Sequence, residues 1–219
     1  MIYVKLLEQT EPLNHIQGLA IEKEINGNFQ LSLTTFNKEN NPAYSLLQEE
    51  SIIVVEGYEF RVKQMRENRF SKSITAINTF FDLNDERKDD MFAGTKSFVD
   101  LATWLFEGTE WTMTTDIDER KYVPNFGNDN IIALVNTLCS VFECEYEILP
   151  NKTVHFSKQI GANNGYQYRY KHNIKTLNKT VDTSNVKTFI EGYGANGLYV
   201  SYTSPLADNP LFGIRKADP

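Results

Sequence analysis

The chain has 219 residues, 41% of them hydrophobic and 12% aromatic, with a formal net charge of −7. That length suggests about two domains, and the composition supports a buried core and excludes a disordered chain. Acidic residues spread along the chain exclude a sequence-independent grip on nucleic acid, although an acidic wall would let nucleic acid pass. The N-terminus MIYVKLLEQ lacks a basic region followed by an apolar one. No apolar run approaches the ~20 residues of a spanning helix. A soluble, cytoplasmically made protein without membrane insertion is the expectation. Cys139 and Cys144 lie where a helix gives way to a strand and are expected as buried free thiols rather than a disulfide.

Residues 1–84 read as β. Ile2, Val4 and Leu6 alternate in a first strand ending at Leu7. Leu19–Ile25 and Phe29–Thr35 flank Asn26-Gly27, a hairpin signal. Pro42 opens a short helical piece, Ala43–Leu47. Ile52–Val55 and Tyr58–Met65 flank Glu56-Gly57, and Phe70–Phe81 closes the set. About six short strands with almost no helix predict a small antiparallel barrel or sandwich.

At Asp82 the pattern changes. DLNDERKDD (residues 82–90) is a charge run, expected as a solvated linker or loop. Ser97, with Asp100 three residues on, caps a predicted helix to Glu107, stopped by Gly108. Its buried stripe is Val99, Ala102, Leu105 and Phe106, with Phe98 and Leu101 beside it. Trp111, Met113 and Thr115 alternate as a strand. A second helix runs from Asn130 to Phe142 with Ile131, Leu134, Val135, Leu138 and Phe142 on one side. Strands Cys144–Ile148 and Thr153–Ser157 follow around the turn at 149–152. Residues 85–165 are therefore predicted as an α+β module, closed by a loop over 161–165.

Residues 166–219 begin with a predicted strand, Tyr166–Tyr170, that puts Tyr166, Tyr168 and Tyr170 on one face. Those tyrosines suit a carbohydrate-stacking platform, a subunit contact, or burial in the chain's own sheet. The stretch TFIEGYGANGLYVSYTSP (188–205) is a hairpin signal around Asn196-Gly197. A two-residue turn there sets Tyr193 opposite Val200 and Glu191 opposite Tyr202. Ile190, Gly192, Ser201 and Thr203 then share the other face, where Gly192 and Gly194 leave room for another strand or a neighbouring subunit. Gly192, Tyr193, Gly194, Asn196 and Gly197 are the candidate hairpin and assembly residues. Ile25–Leu33 and Val181–Ile190 share an apolar-turn-strand shape, which raises a duplicated barrel.

Catalysis and metal binding find little support. His15, His155 and His172 have no ligand spacing. Asp116, Asp118 and Glu119 lack the rest of a calcium loop. Glu143, Glu145 and Glu147 share a strand face, which suits a wet sheet surface better than a paired-carboxylate hydrolase. No nucleophile elbow, phosphate loop, dinucleotide fingerprint or zinc-protease motif occurs. No catalytic residue, metal or cofactor is therefore assigned.

From Leu134 to Pro205 the chain resembles the N-terminal hub region of the tail-associated lysin family, prophage endopeptidase-type tail proteins of long-tailed phages of Gram-positive bacteria. The landmarks are ECEYEI (143–148), the loop ending at Gly165, Asn173-Ile174, T-x-I-x-G-Y-G from Thr188, and Tyr202-x-Ser204-Pro205. Upstream, GTKSFVDLATWLFEGTEW (94–111) resembles the family's helix and Gly-Thr-x-Trp turn. The resemblance covers about residues 90–214 and reaches the first barrel in texture only. It implies a mainly β, α+β fold: one barrel, an α+β insert and the start of a second barrel continuing past Pro219. It further implies a structural tail-tip or baseplate hub in the virion, assembled in the host cytoplasm. Three copies would ring the tail tube and leave a DNA channel, contacting distal tail, tape measure and receptor-binding or upper baseplate proteins. The competing readings are a peptidoglycan hydrolase or endopeptidase with its catalytic domain after Pro219, and a host cell-wall carbohydrate-binding module.

Overall fold

The computed structural model describes residues 1–162 and 164–217. Asn163, within the expected loop at 161–165, and the last two residues lie outside them. The chain forms two compact units, Met1–Ala162 and Asn163–Pro219.

The first unit is built on seven strands: β1 Ile2–Leu6, β2 Gln9–Pro12, β3 Ile16–Lys23, β4 Phe29–Phe36, β5 Ile52–Val55, β6 Tyr58–Glu67 and β7 Ser71–Asn78. They pair antiparallel in the order β2-β1-β5-β6-β7-β4-β3. The expected barrel thus takes the form of one sheet curled into half a barrel. Alternation decides its inner face: Phe29, Leu31 and Leu33 of β4 are buried while Gln30, Ser32 and Thr34 turn outward. Glu56 and Gly57 both adopt positive φ, which gives β5 and β6 the tight turn expected of them. The Asn26-Gly27 connection is longer than two residues, because Glu24 N–H bonds Asn28 C=O (2.8 Å) and ends β3 at Lys23.

A short 3-10 turn at Pro42–Tyr44 is held by a buried lysine. Lys72 Nζ donates to the carbonyls of Tyr44 (3.1 Å) and Leu47 (2.7 Å) and lies over the Tyr44 ring. Those bonds supply the partners that a buried ammonium requires.

The charge run is not a free linker. Thr79–Asp85 is a 3-10 segment and Arg87–Met91 is a strand, β8, paired with Gly127–Asn130 (β12). Most β8 side chains stay exposed, so the charges keep their water while the backbone makes a ladder. Gly94–Ser97 (β9) likewise pairs with Arg120–Val123 (β11). Gly127 adopts φ +129°, and a Cβ there would fall 2.0 Å from the Asp90 carbonyl oxygen of the paired strand β8, so only glycine fits at this point of the ladder.

Helix α1, Phe98–Phe106, starts on a full capping box between Ser97 and Asp100. The Ser97 hydrogen bonds hold the Asp100 carboxyl below the ordinary carboxylate range. Phe98, Leu101, Ala102, Leu105 and Phe106 are buried, whereas Val99 is 44% exposed and leaves the expected stripe. The buried arc centres on Phe98 and Leu105, and Val99 falls just past its Phe106 edge.

Helix α2, Ile131–Phe142, is capped by Asn130, whose Oδ1 accepts from Ala133 N–H at 2.8 Å. It ends on Glu143 in the left-handed region (φ +52°). Lys121 and Lys158 donate to the carbonyls of Val141 (2.8 Å) and Phe142 (2.6 Å), which the helix leaves unpaired.

Strands β13 Glu145–Leu149 and β14 Thr153–Ser157 form the expected hairpin, and β10 Thr112–Thr115 joins β14 in parallel. The free edge of β13 is covered: Asn26 N–H donates to Tyr146 C=O (3.3 Å), and Asn26 Oδ1 accepts from Tyr146 N–H. An exposed strand edge is thereby closed by the β3–β4 turn.

One hydrophobic core runs through all of this, from Phe29, Leu31 and Phe60 on the sheet to Leu105, Leu138 and Phe156 beyond it. Phe80 sits at the junction, with ring centroids 5.0 Å from Trp111 and 5.6 Å from Tyr146. No helix among the described residues is long and apolar enough to cross a membrane.

Candidate assembly surface

Among its described residues the second unit forms one regular ribbon, β15 Phe189–Tyr193 with β16 Tyr199–Thr203. Its hairpin is shifted by one residue from the expected register: Tyr193 faces Tyr199, Gly192 faces Val200 and Glu191 faces Ser201. The cause lies in the turn. Gly194 N–H bonds Leu198 C=O at 2.7 Å, and Ala195–Gly197 coil into a 3-10 turn with Asn196 at φ +59°. Asn196 and Gly197 supply the positive φ anticipated for them, but inside a five-residue loop.

The shift redistributes the faces. Ile190, Gly192, Val200 and Tyr202 share one side; Phe189, Glu191, Tyr193, Tyr199, Ser201 and Thr203 share the other. On the second side, Tyr193 and Tyr199 pack with ring centroids 5.2 Å apart, and Tyr199 Oη donates to Glu191 at 2.7 Å. That bond pushes the Tyr199 phenol above its ordinary pKa. A Cβ at Gly192 would meet Val200 Cγ1 at 3.1 Å, and one at Gly194 would meet Leu198 at the same distance. Side chains of the hairpin's own second strand and loop therefore occupy the space beside both glycines.

Thr188, at the foot of the hairpin, fastens the unit. Its hydroxyl donates to Gly213 C=O (2.7 Å) and accepts from Arg215 N–H (2.7 Å), while its carbonyl accepts from Ser204 N–H (2.8 Å). It is the one buried residue of this unit among those described. Ile190, Leu198, Val200, Tyr202, Leu211 and Ile214 are all exposed. Two strands with this much uncovered apolar surface fall short of an independently stable sheet.

Tyr166, Tyr168 and Tyr170 form no strand. They are 89%, 86% and 62% exposed, and Tyr170 makes only an isolated bridge to Ile174. The local bonds go elsewhere: Arg169 N–H donates to Asn173 Oδ1, and Asn173 Nδ2 to Gln167 C=O. These close a compact turn that competes with the extended chain. Residues 181–188 likewise precede the ladder instead of joining it, unlike β4, so the apolar-turn-strand shape shared with 25–33 ends at the level of sequence.

The first unit carries a chain of charges. Lys5 donates to Glu59 (2.7 Å), Glu59 lies 3.4 Å from Lys152, and Lys152 also pairs with Glu110. Burial works to raise the Glu59 pKa, but bonding from Lys5 and the charges of Lys152 and Lys5 outweigh it and hold the carboxyl low. Burial works to lower Lys152, but bonding to Glu110 and the charge of Glu59 hold its ammonium above the usual lysine value. Opposite charges in alternation give a clamp between β1, β6 and the β13–β14 turn, not a site of one sign.

Each histidine has its own local surroundings. His15 contacts the Glu39 carbonyl, His155 the Thr114 hydroxyl, and His172 lies on the exposed turn at 167–173. Asp116 accepts from Ser157 and Glu119 pairs with Lys158. Glu145 and Glu147 line the partly open face of β13, opposite the buried Tyr146 and Ile148. No group of three or more metal-ligating side chains occurs among the described residues.

Residues 1–78, the stretch that forms β1 to β7, match the family described as the prophage endopeptidase tail N-terminal domain. The first unit opens with a prophage tail domain. This family match falls on the half-barrel, where the sequence resembled the family in texture only. The prophage tail protein gp18 from Listeria monocytogenes EGD-e matches at 26% identity and TM-score 0.71, over 100% of this chain and 71% of its own. That match takes in residues 90–214 as well. The 43 kDa tail protein of prophage MuSo2 from Shewanella oneidensis shares the fold at 10% identity and TM-score 0.62, over 99% and 71% of the two chains. A tail protein from Neisseria meningitidis MC58 does so at 9% and 0.61, over 98% and 69%. No curated protein sequence matches the chain. The prophage tail domain and the match to the Listeria protein along the whole chain make this a phage tail protein.

Proposed function

We propose that this phage tail protein is a structural hub of the tail tip or baseplate. Three copies close into a ring that caps the tail tube and leaves a passage for DNA, as the N-terminal part of a tail-associated lysin. The observation that carries this reading is the prophage tail domain at residues 1–78, joined to a match with a tail protein along the entire chain. The second unit supports it, because its hairpin exposes Ile190, Val200 and Tyr202 on one side and the paired rings of Tyr193 and Tyr199 on the other. Surfaces of that kind are covered in assemblies. Gly192, Tyr193, Gly194, Asn196 and Gly197 shape that surface and are the proposed assembly residues. Neighbouring tail proteins, among them distal tail, tape measure and receptor-binding proteins, are the proposed partners. DNA passes without specific binding, in keeping with the net charge of −7. The proposed division places the first barrel at 1–84, the α+β part at 85–165 and a second barrel region from 166.

One observation favours a second reading. Tyr166, Tyr168 and Tyr170 all face outward, as a sugar-stacking surface would. Saturable binding to host wall polysaccharide that Tyr168→Ala abolishes supports that reading. Trimer formation unaffected by Tyr168→Ala, with no polysaccharide binding, supports the hub.

A further inference from the structure

The two cysteines sit at one turn of backbone. Glu143, in the left-handed conformation, ends α2 and reverses the chain so that Cys144 N–H bonds Cys139 C=O at 3.0 Å. This six-residue closure brings the first and last side chains of the turn onto one another. Both thiols are free and more than nine-tenths buried, and they hydrogen-bond each other. The carbonyl end of a helix ordinarily disfavours a thiolate. Here Lys121 and Lys158 already neutralise that end through Val141 and Phe142. Around the pair stand Lys121, Lys158, Glu119 and Tyr146. Bonding from Cys139 and the charges of Lys158 and Lys121 outweigh burial and Glu119, and hold the Cys144 thiol low. Its bond to Cys144, burial and the neighbouring thiolate charge push Cys139 up. One cysteine is thus set to attack and the other to resolve.

We propose that Cys139 and Cys144 are a built-in redox pair that closes to a disulfide outside a reducing compartment, stapling the end of α2 to the start of β13. With a peroxide as oxidant, the Cys144 thiolate attacks one peroxide oxygen and breaks the O–O bond. It becomes a sulfenic acid, and the departing hydroxide takes up a proton as water. The Cys139 sulfur then attacks the sulfenic sulfur, expelling hydroxide that leaves as a second water with the Cys139 proton. Two thiols are oxidised and one hydrogen peroxide is reduced to two waters. Burial confines the reaction to small oxidants and keeps it within one chain.

The test is intact-mass and peptide mass spectrometry of the whole protein, reduced and then treated with hydrogen peroxide. The expected result is a loss of about 2 Da with a 139–144 cross-link, reversed by dithiothreitol and absent in Cys139→Ala. The melting temperature of the oxidised wild type should rise by roughly 4–8 °C, as a short closed loop in a domain of this size allows. An unchanged mass, oxygen addition at Cys144 without a cross-link, or disulfide-linked dimers on a non-reducing gel would each overturn the proposal. The wild-type mass alone decides the matter if the variant fails to fold.

Discussion

Replacing Phe80 with alanine probes the joint between the half-barrel and the helical part. The ring is fully buried and contacts Phe81, Phe106, Trp111 and Tyr146. Removing a buried phenyl where neighbours cannot collapse costs about 3–5 kcal/mol, the lost edge-on ring contacts included. Against a total stability of about 5–15 kcal/mol, that is a large fraction. With an m-value of ~2–3 kcal/mol/M, the urea midpoint should fall by about 1–2 M. The chain's two tryptophans, Trp104 and Trp111, both lie in the first unit, so their fluorescence follows that unit alone. Tyr122→Ala, at an exposed ring, serves as the control and should stay within ~0.5 kcal/mol. A midpoint shift under ~0.5 M for Phe80→Ala would refute the shared core. So would two separate fluorescence transitions in the wild type.

Two further perturbations follow from specific contacts. Glu59 has a lowered pKa, so its contribution is complete above the ordinary 4.5 and fades as pH falls through its lower folded value. Lys152 is raised, so its share is complete below 10.5 and fades as pH rises through its higher folded value. Unfolding midpoints of wild type and Glu59→Gln should therefore differ at pH 7 and draw together as pH falls below 4.5; a gap that stays constant from pH 7 into acid contradicts the clamp. Gly127→Ala should cost well over 2 kcal/mol, since its Cβ would overlap the Asp90 carbonyl at positive φ. Thermal melting reads this directly, and a shift under ~2 °C would contradict the backbone approach.

Local chemistry made much of the first unit legible. Ser97 with Asp100, Asn130, and the stripes of α1 and α2 marked both helices, and Glu56-Gly57 marked the β5–β6 turn. These features depend on residues within a turn of one another. What escaped reading depends on partners far along the chain. β2 is Gln-Thr-Glu-Pro, an edge strand with no apolar alternation. β8 carries a charge run that signals solvent on its side chains and says nothing of its ladder with β12. The parallel pairing of β10 with β14 joins segments about forty residues apart. In the second unit, Asn196-Gly197 correctly marked the reversal, but Gly194 and Leu198 joined the loop and moved every cross-strand pair by one. The tyrosine alternation at 166–170 promised a strand where side-chain bonds from Asn173 close a turn instead. Thr188 stood out in sequence only as part of a family motif, and its role as the fastening point rests on Gly213 and Arg215, some 25 residues away.

The hub reading stands or falls on assembly. Size exclusion coupled to light scattering, across a micromolar concentration range and with tail-tube protein added, measures it most directly. The account predicts a closed particle of three times the 25.2 kDa chain mass. A mass that stays at one chain under every condition would contradict it.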